Sequence, residues 1–314
     1  MTTAPVQSLA HGSPSKYGRL GGHTARRMMA DPHGILAFIA GPPNTGKSAL
    51  LQSNPDAFIF NLDISSTVIA DPVCTLWPGI SPEGRAIGDD GKPVFLDWPA
   101  VLSKITILEE LARAGQPRPR TVVFDSITTV IRLLREHVVA NAKSLALATS
   151  DKNITSWRQL EGRSAWDTVY DLFIGVMTRL HSLGYGIYVV GHIVNAKIPL
   201  NENQTVFRPE LTLGPGFWSR LFPVFELVGI TAKSIVVENV QVDEPLVING
   251  QTKINKRTIS RSRVVYSLGF SDPAYMGIVK SRNGVPSVIE LPETGAWPHF
   301  VQRYTESTTQ GHKA

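Results

Sequence analysis

From residue 35 onward the chain alternates short, continuous apolar runs with longer stretches of helical period. Residues 35–40, 57–60, 121–124 and 186–190 are apolar without polar alternation, the pattern of parallel strands buried on both faces. Between them, residues 99–114, 128–147 and 160–183 carry helical spacing. In the last stretch Trp166, Val169, Tyr170, Phe173, Val176, Met177 and Leu180 form a core-facing stripe. Strand and helix in alternation predict an α/β domain whose mostly parallel central sheet is flanked by helices. After about residue 225 the pattern turns to β, with runs at 227–230, 234–240, 245–248, 263–268, 275–280 and 287–291. Asn249-Gly250 between two such runs predicts a tight hairpin turn, because that dipeptide tolerates positive φ. These readings divide the chain into an N-terminal arm at 1–33, one domain at 34–295 with a β-rich extension and a hairpin at about 245–265, and a C-terminal tail at 296–314.

The 314 residues are 42% hydrophobic and 18% charged, enough to bury a sizeable core. No apolar run approaches the roughly 18 residues that would predict a membrane span. The arm lacks the apolar region of a secretory signal, and its basic composition lacks the amphipathic pattern of a transit peptide. A single cysteine, Cys74, excludes an intrachain disulfide and a Cys-rich metal site, and fits a cytoplasmic protein. The net charge of +5 is unevenly placed. Residues 1–33 carry +3 and residues 252–263 carry +5 through Lys253, Lys256, Arg257, Arg261 and Arg263, leaving the other 269 residues at −3. A polyanionic partner is therefore expected at the arm and the hairpin.

Gly41-Pro42-Pro43-Asn44-Thr45-Gly46-Lys47-Ser48 fits G-x-x-x-x-G-K-[ST], directly after the first predicted strand and before a helical segment that begins with Ser48-Ala49. The glycines let backbone N–H groups turn inward around phosphates, and the helix N-terminus adds a favourable dipole. Lys47 is the expected partner of the β- and γ-phosphates and Ser48 of Mg²⁺. A second carboxylate near the metal should close a later apolar strand, and Asp125 does so in Val122-Val123-Phe124-Asp125-Ser126. Because Ser126 and not a glutamate follows, the group that positions the attacking water must come from elsewhere. Asp63, just past the second strand, has the right topological position, a turn or N-cap role being the alternative. Asp71 and Glu83 are weaker candidates.

In chain order GPPNTGKS, FNLD, VVFDSITTV and YVVGHI resemble the core of the RecA-like P-loop ATPases. With DWPAVL, the Trp157 to Trp166 stretch, VVGHIVN and GIVKSRNGVPSVIELP, residues 35–295 look like the phage-encoded RecA-like ATPases of recombination and single-strand annealing. The resemblance implies an ATP- and Mg²⁺-dependent hydrolase that binds single-stranded DNA and self-associates into a ring or filament. It implies that His192 senses the γ-phosphate, a satisfied core histidine being the alternative. Residues 195–213 would then be a mobile DNA loop, with Lys197 and Arg208 toward the phosphodiester backbone. Arg158 and Arg163 would belong to a second DNA loop, Phe217 and Trp218 would stack on bases or pack on the sheet, and Lys280 and Arg282 would complete a neighbouring subunit's site. Two positions depart from the family: Asp63 replaces the recombinases' usual glutamate, and Glu226 stands where many phage relatives have aspartate. A hexameric helicase-type motor, a small-molecule kinase and a non-hydrolysing nucleotide scaffold are the competing readings.

Overall fold

The computed structural model describes residues 31–63, 73–148, 153–160, 163–201, 204–213, 215–248, 251–270, 279 and 285–310. Residues 1–30 of the expected arm, Asp71, the Asn249-Gly250 turn, Lys280 and Arg282 lie outside these. The chain begins with β1 (Leu36–Gly41), α1 (Lys47–Gln52), β2 (Ala57–Asn61) and β3 (Thr75–Trp77). A small ribbon of β4 (Gly79–Ile80) and β5 (Ala86–Ile87) precedes α2 (Trp98–Arg113), β6 (Thr121–Asp125), α3 (Ile127–Ala140) and α4 (Arg163–Ser182). The second half comprises β7 (Gly186–Asn201), β8 (Gln204–Leu211), α5 (Pro215–Leu221), β9 (Leu227–Ile248), β10 (Gln251–Gly269), β11 (Val288–Leu291) and α6 (Ala296–Gln310).

The central sheet runs β11-β10-β9-β1-β7-β6-β2-β3, with β8 paired on the far part of β7. All neighbours from β9 to β3 are parallel, whereas β10 and β11 are antiparallel additions. The continuous apolar strands serve two cores at once. On β1, Leu36, Phe38 and Ala40 enter the layer filled by α2 to α5, while Ala37 and Ile39 enter the layer filled by α1 and α6. Successive strand side chains point to opposite faces, so a strand covered on both sides must be apolar throughout. The expected α/β class with a mostly parallel, helix-flanked sheet is what forms. The register sets Gly41 beside His192 and Asn61 beside Asp125, which gathers the carboxyl ends of β1, β2 and β6 around one cleft.

Several boundaries differ from expectation. The runs at 227–248 form one strand, because β10 pairs with β9 from Ile230↔Gly269 to Ile248↔Gln251 and satisfies the backbone across polar positions. The hairpin is therefore far longer than residues 245–265. Within the expected loop at 195–213, residues 195–201 and 204–211 are the outer part of β7 and β8, paired in a second hairpin. Helix α3 stops at Ala140 instead of reaching 147, with Asn141 N–H closing on the carbonyls of His137 and Val139. Residues 31–33 are folded, not part of an arm. Asp31 accepts from His33 N–H at 2.9 Å at the start of a 3-10 turn and also pairs with Arg120, and Tyr188 Oη donates to the Pro32 carbonyl at 2.7 Å.

The expected tail is the amphipathic helix α6. Trp297, Phe300 and Tyr304, at helical spacing, are at most 1% exposed. Trp297 meets His33 at 5.4 Å and Tyr188 at 5.2 Å between ring centroids. Polar residues on the outer face of this helix hide its apolar stripe from a composition-based reading. Trp297→Ala should lower unfolding free energy in denaturant titration by about 3–5 kcal/mol, and Gln302→Ala, on the exposed face, by less than about 0.5 kcal/mol.

Candidate phosphate-binding site

The loop between β1 and α1 is shaped by two left-handed residues, Asn44 at φ 60° and Gly46 at φ 88°, the latter capping α1. Gly41 has no room for a side chain, since a Cβ there would lie 2.2 Å from Thr231 Oγ1 and 2.7 Å from the Thr231 carbonyl. Thr45 Oγ1 donates to the Pro42 carbonyl at 2.7 Å and lies 2.6 Å from Thr231 Oγ1, which is itself 3.3 Å from the Ala40 carbonyl. The phosphate loop is thus pinned to the root of β9. Thr231 escaped sequence reasoning because it is an isolated polar residue between apparent strands.

Lys47 Nζ folds back on the loop, donating to the carbonyls of Gly41 at 2.9 Å and Pro42 at 2.6 Å. Burial pulls its pKa down to about 8, against the attraction of Asp125. Ser48 Oγ donates to Asp125 Oδ2 at 2.9 Å. Asp125 is only 5% exposed. Burial pushes its pKa up to about 6, reinforced by Asp63 and opposed by the Ser48 hydrogen bond and by Lys47. The Asp125 carbonyl accepts from Leu62 N–H at 2.7 Å and Asp63 N–H at 3.1 Å, so the strand that ends in one carboxylate also places the other. Asp63 Oδ2 lies 3.9 Å from His192 Nε2. Burial and then Lys47 lower the His192 pKa, with Asp63 pulling the other way.

Residues 43–49, Asp63, Asp125 and His192 line one cavity of about 570 Å³, so five side chains singled out from the sequence, Lys47, Ser48, Asp63, Asp125 and His192, converge there. The opposite wall comes from Lys233 on β9, Tyr266 on β10, and Leu291, Pro292, Glu293 and Ala296 around the β11–α6 turn. Sequence reasoning missed this wall, because nothing local marks residues from separate β elements as sharing a cavity. Mg²⁺ fits the donor set. Ser48 Oγ and the Asp125 carboxylate are hard oxygen donors at one spot, and the raised pKa of Asp125 marks a buried carboxylate that a cation would stabilise. Among the described residues no cluster of three His, Cys, Asp or Glu side chains could hold a metal by itself. Phosphate oxygens and water would have to supply the remaining ligands.

The other candidates lie elsewhere. Arg158 is on a 3-10 turn at Trp157–Gln159 and Arg163 begins α4. Lys197 is opposite Phe207 and Arg208 opposite Ala196 in the β7–β8 hairpin. Lys253, Lys256, Arg257, Arg261 and Arg263 lie along β10, but their partner strand is acidic. Arg261 is opposite Glu238 and Lys256 opposite Asp243, and Arg263 Nε contacts Glu238 Oε1 at 2.6 Å. The concentrated +5 of the sequence is therefore partly neutralised across the ladder. Trp218 packs at 4.9 Å on Phe38 in the core and so is not free to stack on a base. The Phe217 side chain lies outside the described residues. Glu226, uninterpretable in the sequence, accepts from Leu36 N–H at 3.3 Å and donates its own N–H to the Leu36 carbonyl at 2.8 Å, fixing the start of β1.

A phosphate loop between strand and helix, with a buried carboxylate closing a strand two places away in a parallel sheet, defines an α/β P-loop NTPase core. The AAA domain family model (AAA_24) matches residues 33–260, and the chain belongs to that family of P-loop ATPase type. A comparison with curated proteins found no match.

The electrostatics of Asp125 make a stability prediction for the nucleotide-free protein. Its folded pKa, about 6, lies above the ordinary 3.8, so folding disfavours the charged form and stability falls as pH rises from about 4 to 6. Asp125→Asn should therefore unfold on the order of 2 kcal/mol harder than wild type above pH 6, the gap closing as pH falls toward 4. Denaturant titrations across that range check this.

Proposed function

We propose that the chain is a Mg²⁺-dependent ATPase of RecA-like type that binds single-stranded DNA, self-associates, and acts in the cytoplasm in DNA recombination, annealing or repair, in a phage-type setting. The observation that carries the catalytic reading is the convergence of Lys47, Ser48, Asp125, Asp63 and His192 on one cavity. In this reading the loop N–H groups and Lys47 hold the β- and γ-phosphates, Lys47 leaving the loop carbonyls to do so. Bound Mg²⁺ supplies charge neutralisation at the phosphates, held by Ser48 and Asp125. Asp63 orients the attacking water and accepts its proton as the new P–O bond forms and the bond to the β-phosphate oxygen breaks. His192, in the same cavity and under the opposing charges of Lys47 and Asp63, senses the γ-phosphate.

Support for the DNA role comes from β7, which carries His192 in the cavity and continues without a break into the hairpin bearing Lys197. Thr212 N–H on the returning side donates to the His192 carbonyl at 3.0 Å. A group that reads the γ-phosphate and a projecting cationic arm are thus parts of one strand, a direct route for coupling nucleotide state to DNA contact. The β9–β10 hairpin supplies a second cationic edge. Lys280 and Arg282 remain candidates for contact with a neighbouring subunit's nucleotide.

Lys47→Ala and Asp125→Ala should each reduce phosphate release by at least about a hundredfold. In the wild type, single-stranded DNA should stimulate turnover, and binding should weaken steeply with salt. Phosphate-release assays and filter binding at graded salt test both parts; absence of binding at low salt together with unstimulated hydrolysis would overturn the DNA role.

A further inference from the structure

The phosphate end of the cavity accounts for only part of its wall. The far side, built from the root of the β9–β10 hairpin and the β11–α6 turn, has a different chemistry: Tyr266, Leu291, Pro292 and Ala296 are apolar surfaces, with Lys233 and Glu293 as polar exceptions. A cavity lined by the phosphate loop, Lys47 and Ser48 at one end and by mostly apolar surfaces at the other matches a nucleotide, whose polyanionic chain and flat heterocycle differ in the same way. Tyr266 is placed by its surroundings. A Cβ on Gly46 would lie 3.3 Å from Tyr266 Cδ1, so one edge of the ring packs beside the glycine that caps α1, and Lys233 Nζ lies 5.7 Å from the ring centroid.

We infer that this wall is a base subsite selective for adenine, resting on the ATPase reading above: Tyr266 stacks on the base, and the Glu293 carboxylate accepts a hydrogen bond from its exocyclic amine. A base bearing a carbonyl at that position would meet the carboxylate as two acceptors with no proton between them, and is rejected. The two hairpin strands each supply one of the paired side chains, Lys233 from β9 and Tyr266 from β10. A bound base therefore packs against the root of the hairpin.

Equilibrium binding of ATP, ITP and inorganic tripolyphosphate, each with Mg²⁺, to the full-length protein tests the assignment. Tyr266→Ala should weaken ATP at least about tenfold and leave tripolyphosphate unchanged, whereas Tyr266→Phe should retain ATP affinity. Glu293→Ala should narrow the wild-type preference for ATP over ITP. Equal losses for ATP and tripolyphosphate in Tyr266→Ala would mean that the ring only shapes the phosphate loop, and no loss for ATP would mean that it does not touch the base; either result overturns the subsite. An unchanged ATP-to-ITP ratio in Glu293→Ala overturns the carboxylate's role. Failure of the wild type to bind either ATP or tripolyphosphate would instead overturn the phosphate site itself.

Discussion

Asp125 carries a carboxylate into a place where water scarcely reaches, and much of the site is arranged around that burial. Its side chain accepts from Ser48 at the start of α1, and its main-chain carbonyl accepts from Leu62 and Asp63 at the end of β2. One residue therefore ties together the helix that receives phosphate and the strand end that supplies the second acid. The same burial that raises its pKa makes it a fitting partner for a divalent cation, since a compensating charge offsets part of the desolvation cost. Binding strength here is held in reserve as an unfavourable charge in the nucleotide-free fold.

A second constraint joins the site to the periphery. The phosphate loop lies so close to β9 that Gly41 admits no Cβ, and a hydroxyl pair, Thr45 and Thr231, closes the contact. Because β9 continues from that contact into a hairpin of 22 and 19 residues, the phosphate loop and the root of that hairpin are packed directly on one another. On the other flank β7 joins His192 to the second hairpin. The nucleotide cavity is thus bounded by the bases of both projections, and the parallel sheet between them serves as the rigid platform that packed interiors provide.

The strand–loop–helix phosphate site was legible because its determinants are local: glycines for positive φ, a lysine and a hydroxyl at set spacing, and an apolar strand before them. The parallel strands were legible for a similar reason, since burial on both faces demands unbroken apolar runs. Helix α6 was not, because its apolar stripe is diluted by Gln302, Arg303, Glu306 and neighbouring threonines and becomes evident only at helical period. Nor was the union of three short runs into β9, where polar positions such as Lys233 and Asp243 are carried by backbone pairing to β10.

Charge shows the division most clearly. Sequence alone determined that an α/β phosphate-binding core would form, that Lys47, Ser48 and Asp125 would belong to it, and that cations would cluster at 252–263, because each follows from residue type and short-range spacing. Only the tertiary structure decided that those cations lie beside Glu238 and Asp243, that His192 reaches Asp63, and that Tyr266 and Glu293 share a wall with the phosphate loop. These are contacts between residues distant in the chain, set by strand order and register, and a one-dimensional pattern carries no direct record of which strands become neighbours.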